Sequence, residues 1–391
     1  MNQPFLLHIV ERLEAFLGKL PATIQKPVLH ELTPLKELFL QQRPPRFVLT
    51  GSNKLAVREL LPPLFGTSAE GLRERLMEVF RWQKIGIGNH GTIELLDARG
   101  ADDTALIHAL DEVGRRSADV FLHVGQTNDA GASSREVANL VTLHERSARS
   151  GRAGKIVGIV IEEAKRVSSR NNDTHSELTP LTLRDALQNA PAVREHLLHV
   201  VTVRLDDENF SGAQRLLALL ARELPNDVRV EIVRISRDRT AQADIAQLLV
   251  KSTAAICAAI GTQPIPLADL PILTSLQLVM VSGIMYVSGR ERSLRAATEF
   301  VAAVGANVGA GMLLREGART ALKFFPGWGN VISGMIAGAG TYAIGKAATV
   351  YFVEGVSLKE ARRTYLSSRR RRDPAAALPE KPQERETISR P

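Results

Sequence analysis

The sequence predicts a doubly wound α/β domain followed by an all-α, apolar domain, and three observations carry that expectation. Between residues 46 and 240, short β-branched runs alternate with amphipathic helical stretches, the pattern of a parallel sheet covered on both faces. Past residue 240 the composition turns to Ala, Gly, Leu and Ile with few charges and no strand alternation. The whole chain of 391 residues is 44% hydrophobic and 24% charged, and at about 100 to 200 residues per domain it holds two or three units. Its single cysteine, Cys257, excludes an internal disulfide framework and any multi-cysteine metal site, so the chain reads as intracellular. A net charge of +8 permits contact with phosphates or an anionic membrane face but names no partner. Aromatics at 5% argue against a base-stacking platform.

Residues 1–45 form an N-terminal helical region. Phe5, Leu6, Ile9, Val10, Leu13, Phe16, Leu17 and Leu20 keep a helical period, while Glu11, Arg12 and Glu14 break what would have to be the apolar core of a signal peptide. Arg43-Pro44-Pro45-Arg46 closes this region, because consecutive prolines cannot continue a helix. The α/β domain, residues 46–240, opens with a strand over Phe47 to Thr50, a turn at Gly51-Ser52-Asn53, and a helix over Leu55 to Phe65 ended by Pro62, Pro63 and Gly66. Further strands are expected at Thr92 to Asp97, Asp119 to Val124, Lys155 to Ile161 and His199 to Leu205. Helices are expected at Asp103 to Arg116, Ser133 to Arg149, Leu181 to Leu198 and Ser211 to Leu224. Lys84 to Gly88 and Thr92 to Asp97 form a hairpin through Asn89-His90-Gly91, placing one antiparallel strand at the sheet edge.

The helical domain, residues 241–366, holds three uncharged runs: Leu270 to Gly289, Phe300 to Leu314 and Phe324 to Gly345. The first and third reach the about 20 residues that cross a bilayer. Pro271, Gln277, Pro326 and many glycines dilute them, and a buried bundle explains the same runs. Gly305 with Gly309 and Gly334 with Gly338 recur at a spacing of four, which lets helix backbones approach in lipid or in water. Trp328, Tyr342, Tyr351 and the block Arg369 to Arg372 resemble an interfacial belt, whereas Arg315, Arg319 and Lys323 cut the middle of the region. Residues 367–391 read as a basic disordered tail.

In an open α/β sheet the ligand sits beyond the carboxyl ends of the strands, so the loop after the first strand is the place to look. A phosphate-binding loop there would read G-x-x-x-x-G-K-[ST]. Gly51 fits the first glycine, but Ala56 stands for the second, Val57 for the lysine and Arg58 for the Mg²⁺-holding hydroxyl. An apolar side chain cannot neutralise phosphate oxygens and an arginine cannot ligate a metal. Lys54 or Arg58 could substitute only from displaced positions. At the end of a core strand Asp97-Ala98-Arg99-Gly100 offers an Asp-x-x-Gly, a carboxylate for a metal followed by a glycine amide for a terminal phosphate.

From Arg43 to Tyr365 the chain resembles the bacterial Era/dynamin-related P-loop GTPases that carry a C-terminal domain of unknown function, family 697, the YcjF-like type. The resemblance rests on Arg43-Pro44-Pro45-Arg46, on Asp97-Ala98-Arg99-Gly100 and on a C-terminal signature. That signature runs from Ala258-Ala259-Ile260-Gly261-Thr262-Gln263-Pro264-Ile265-Pro266-Leu267-Ala268-Asp269-Leu270-Pro271, through Gln277, Met280 and Gly289, to Gly340-Thr341-Tyr342-Ala343-Ile344-Gly345. It implies a GTPase-like fold. The residues depart from the activity: where the family reads guanine with Asn-Lys-x-Asp, this chain has Glu162-Glu163-Ala164-Lys165.

Other motif matches dissolve on inspection. Gly86 to Gly91 fits G-x-G-x-x-G but leads into a strand, Gly340 to Lys346 lies inside an apolar helical run, and Gly154-Lys155 precedes a strand. His196 and His199 have no carboxylate or Cys partner at ligand spacing, Cys257 sits among alanines, and no Ser lies in a nucleophile elbow.

The expectation is therefore a non-catalytic, GTPase-like scaffold or regulatory protein with no catalytic residue, no metal-ligand set and no cofactor. It would be cytoplasmic, at the inner membrane, meeting a membrane surface or a protein partner, such as an intact GTPase relative, through residues 253–353. The alternative is an active switch with a rebuilt phosphate loop, binding GTP and Mg²⁺ at Gly51, Ser52, Asn53, Lys54, Asp97 and Gly100. A nucleic-acid partner rests on charge alone and is the weakest reading.

Overall fold

One six-stranded sheet forms from β1 (Arg46–Gly51), β2 (Gln83–Ile87), β3 (Gly91–Asp97), β4 (Val120–Gln126), β5 (Lys155–Glu162) and β6 (Leu197–Arg204) in the computed structural model. The structure describes residues 22–39, 41–67, 80–88, 90–126, 134–162, 180–205, 207, 209–262, 269–305 and 328–371. The strand order is β2-β3-β1-β4-β5-β6, all parallel except β2, which pairs antiparallel with β3 as the hairpin spacing predicts. The chain divides into two compact units, Glu37–Gln242 with Tyr286–Arg290, and Met1–Lys36 with Ala243–Met285 and Glu291–Pro391.

In the α/β unit alternate residues of each strand feed two cores, because successive side chains point to opposite faces. Val48, Leu96, Phe121, Ile156 and Val160 face α3 (Asp103–Arg115), α4 (Ser134–Ser150), α5 (Pro180–Gln188) and α6 (Pro191–Arg194) through Ala109, Val113, Leu140, Leu143, Leu183, Leu187 and Val193. The other face, with Phe47, meets α2 (Val57–Phe65) in an edge-on contact of Phe47 with Phe65 at 5.3 Å, and carries α7 (Ser211–Glu223) and α8 (Asn226–Ser236). β5 is buried at six consecutive positions, as a strand covered on both faces requires.

Two sequence expectations are corrected and one element is added. The helix expected over Leu181 to Leu198 is two, α5 and α6, because Pro191 restarts the helix and β6 begins at Leu197. The helix expected from Leu55 begins at Val57 and runs through Pro62 and Pro63, ending at Gly66, whose left-handed backbone (φ +62°) lets its N–H donate to Pro62 O. The segment from 226 to 236 carried no expected element. It is helix α8, hidden by the strand-like alternation of Val228, Val230 and Ile232 with polar residues, and buried nearly all round.

Asp119 ties the starts of the central strands. Its carboxylate, 3% exposed, accepts from Arg43 Nη1 and Nη2 at 2.6 and 2.7 Å and from the Arg46 backbone N–H at 2.8 Å. Burial works against the Arg43 charge, but the hydrogen bonds and charge of Asp119 outweigh it and hold the Arg43 pKa above its ordinary value. Behind the first core, His144 is buried with Nε2 donating to Gly154 O at 3.0 Å, its ring 4.7 Å from that of His196 and 5.4 Å from Phe121. His196 thus lies against His144, the two rings tilted by 44°.

The second unit is helical: α1 (Ala22–Phe39, its last turn in the α/β unit), α9 (Arg239–Gly261), α10 (Asp269–Val287), α11 (Leu294–Gly305), α12 (Trp328–Phe352) and α13 (Leu358–Arg371). Small residues do bring helices together. Gly334, Gly338 and Gly345 of α12 lie against Ala258, Ala254 and Val250 of α9, an antiparallel order, and a Cβ at Gly338 would stand 2.8 Å from that of Ala258. Gln277 Nε2 on α10 donates to Thr341 Oγ1 on α12 at 2.9 Å, and Cys257 is buried. Among the described residues one helix is long and apolar enough to cross a membrane, α9, with 56% of its apolar window buried within the protein. Within α10 the described apolar stretch is Leu273–Val287, shorter than a span. The expected N-terminal helix over Phe5 to Leu20, Gly309, Arg315, Arg319, Lys323, the side chain of Trp328 and the tail from Arg372 lie outside the described residues.

Two outcomes follow from these contacts. Asp119→Ala removes the acceptor of the Arg46 N–H and leaves Arg43 with Asp227 at 3.5 Å, and should cost about 1–3 kcal/mol in urea unfolding. Burial, opposed by the bond to Gly154, lowers the His144 pKa below 6.5, so the fold favours the neutral ring. That stability is complete above the unfolded value and falls away as the pH drops through and below it. The urea midpoint should decline between about pH 7 and pH 5, and His144→Phe should flatten that decline.

Candidate functional site

Strand register assembles the expected residues. Leu49 lies opposite Asp97, and Gly51 opposite Val124, so the loop after β1 emerges between the carboxyl ends of β3 and β4. Gly51 leaves the strand at φ +90°, where a side chain would be strained, and a Cβ there would overlap the Val124 carbonyl oxygen. Ser52 N–H then donates to that same oxygen at 2.8 Å. The first amide of the loop is thereby used inside the sheet instead of being presented to a ligand.

The loop is shaped around Arg99. Its guanidinium is 2% exposed and grips Asp97 with Nε on Oδ1 at 2.8 Å and Nη2 on Oδ2 at 3.0 Å. Nη1 donates to the carbonyl oxygens of Leu55 at 2.9 Å and Ser52 at 3.4 Å. Asp97 Oδ1 accepts also from the Arg99 backbone N–H at 3.2 Å. Both oxygens of the carboxylate expected to serve a metal are therefore engaged by a cation of the same turn. Three of the loop's neighbours, Ser52, Leu55 and Asp97, are held by one side chain.

The remaining expected residues lie around this pair. Asn53 is exposed with its side-chain amide against Gly100, so closely that a Cβ at Gly100 would overlap it. Lys54 is exposed beside it, and Arg58 is exposed on the first turn of α2, whose N-cap, Ala56, offers no side-chain oxygen. One residue before the loop, Thr50 Oγ1 lies 3.0 Å from Nδ1 of the fully buried His123. Arg99, Leu55, Val124 and His123 were not singled out as site residues. The signal for Arg99 was present, a cation two residues after an aspartate at a strand end, which a turn can fold back on itself.

At the far side of the sheet Glu162 ends β5, with Arg204 Nε of β6 3.9 Å from its carboxylate. Glu163, Ala164 and Lys165 lie outside the described residues. No group of three or more His, Cys, Asp or Glu among the described residues could hold a metal. Compared with known proteins, the chain matches no family profile and no curated protein.

Arg99→Ala should destabilise the α/β unit by about 3–5 kcal/mol in urea unfolding, because it leaves Asp97 and two carbonyl oxygens facing a void. Arg99→Lys should recover only part of that loss, since an ammonium cannot span two carboxylate oxygens and two carbonyls at once.

Proposed function

We propose that this chain is a non-catalytic scaffold or regulatory protein, built on a GTPase-type α/β sheet of the YcjF-like kind and associated with the membrane through its helical unit. The observation that carries the reading is the Asp97–Arg99 pair. A nucleoside triphosphate with Mg²⁺ needs free backbone amides, a cation for the β- and γ-phosphates and a hydroxyl and carboxylate for the metal. Here the Ser52 amide is bonded to Val124, the position for the cation is Val57, and the Asp97 carboxylate is already neutralised. Displacing Arg99 would leave its charge buried, a cost of several kcal/mol that nucleotide binding would have to exceed.

With chemistry disfavoured at the loop, the sheet offers surfaces, and a surviving scaffold acts through what it holds. The apolar α9, with a little under half of its apolar window outside the buried interior, supports contact of the helical unit with a bilayer or a protein partner.

Titration of the full-length protein with fluorescent GTP and ATP analogues and Mg²⁺ tests the reading. No saturable signal up to millimolar nucleotide is expected. Saturable micromolar binding that Asp97→Ala weakens would overturn it, and would make the protein a GTP switch in which Arg99 moves aside.

A further inference from the structure

We propose that α13 is a contact for an anionic bilayer surface, carried by Lys359, Arg362 and Arg363 with Leu358 and Leu366 between them. This rests on the membrane role proposed for the helical unit and names the face that would carry it.

The helix is built one-sidedly. Ala361 and Tyr365, four residues apart, are buried at 0% and 5% exposure and face the packing with α11 and α12. Leu358, Arg362 and Leu366 repeat every four residues on another stripe, with Lys359 and Arg363 on the stripe beside it. Leu358 is 40% exposed and Leu366 52% exposed, two of the few large apolar side chains that the described residues leave open. The sequence of α13 has six Lys or Arg against one acid, Glu360. That acid is occupied: it accepts from the Ser357 N–H and Oγ while its own N–H donates to Ser357 Oγ, a capping box at the helix start.

Several cations of the α/β unit are committed within the fold. Arg43, Arg46, Arg99, Arg152 and Arg234 each hold a carboxylate of the chain. Lys359, Arg362 and Arg363 hold none among the described residues, so their charge is open to an external anion. The leucines decide which anion. Phosphates of a nucleic acid gain nothing from them, and the one aromatic side chain of the helix, Tyr365, is buried and unable to stack on a base. A bilayer surface uses both, with arginine and lysine at anionic head groups and leucine at the acyl boundary.

Co-sedimentation of the full-length protein with vesicles of phosphatidylcholine, with and without phosphatidylglycerol, tests the assignment. The wild type should pellet with the phosphatidylglycerol vesicles and be released as salt rises to about 0.5 M. Lys359→Gln/Arg362→Gln/Arg363→Gln should weaken that binding about a hundredfold, from the contribution of three basic residues at an anionic surface. Leu366→Ser should weaken it several-fold, with far-UV circular dichroism unchanged in both variants. Triple-variant binding equal to wild type would overturn the role of α13 while leaving the membrane reading standing. Wild type pelleting with neither vesicle would overturn both. Displacement from vesicles by RNA, with Leu366→Ser binding that RNA as well as wild type, would reassign the face to nucleic acid.

Discussion

A guanidinium excluded from water has to find its counter-charge and its hydrogen-bond acceptors within the fold, and Arg99 finds them in two short segments. Asp97 supplies the charge, and the Ser52 and Leu55 carbonyls supply the acceptors. These come from the ends of neighbouring parallel strands, so the arrangement presupposes the register that sets Leu49 opposite Asp97. It presupposes equally the left-handed turn at Gly51 that sends the chain over Val124. The ligand end of an α/β sheet is normally where backbone amides converge on an anion. Here two backbone carbonyls converge on a cation of the protein itself.

The excess of basic residues takes its meaning from where each one is placed. Asp119 with Arg43, and Glu94 with Arg46, join the strands from partly buried positions. Such pairs cost about 1–3 kcal/mol when broken. Arg115 with Asp111, Arg149 with Glu145 and Arg295 with Glu299 are exposed helical pairs, worth about 0.3–0.5 kcal/mol each. Neither group bears on a partner. On α13 six Lys or Arg stand against one acid, a local excess that net charge alone does not locate.

How much of this was written in the sequence depends on the range of each interaction. The sheet was legible because β-branched runs such as Lys155 to Ile161 are local signals, and the antiparallel edge strand because Gly88 to Gly91 is too short for any other connection. Helix α8 was not legible, since Val228, Val230 and Ile232 satisfy a strand period while tertiary burial on every side selects the helix. Pro191 was legible in principle: it starts α6 in the first helical turn, where its missing N–H costs nothing. For the site, the residues that depart from a phosphate-loop pattern could be read one by one, Val57 and Arg58 above all. What fills the space in their place could not. Arg99 reaching Leu55 spans 44 positions, and His144 lying against His196 spans 52, and no periodicity records such distances.

The helical unit presents the same ambiguity in sequence and resolves part of it by geometry. Glycines at spacing four serve helix pairs in lipid and in water alike, and here they seat α12 on alanines of α9. A polar contact, Gln277 with Thr341, sits within the same packing, satisfied by side chains and independent of solvent. Close packing of this kind consumes the face that a glycine stripe would otherwise offer to a partner. Gly334, Gly338 and Gly345 of α12 are thus spent on α9. Among the described residues, the packing leaves uncovered the outer part of α9, Met335 of α12 and the basic, leucine-bearing face of α13. Of these, α13 can act before any helix rearranges, because its charges attract an anionic surface over a Debye length of about 8–10 Å while apolar contact requires touch.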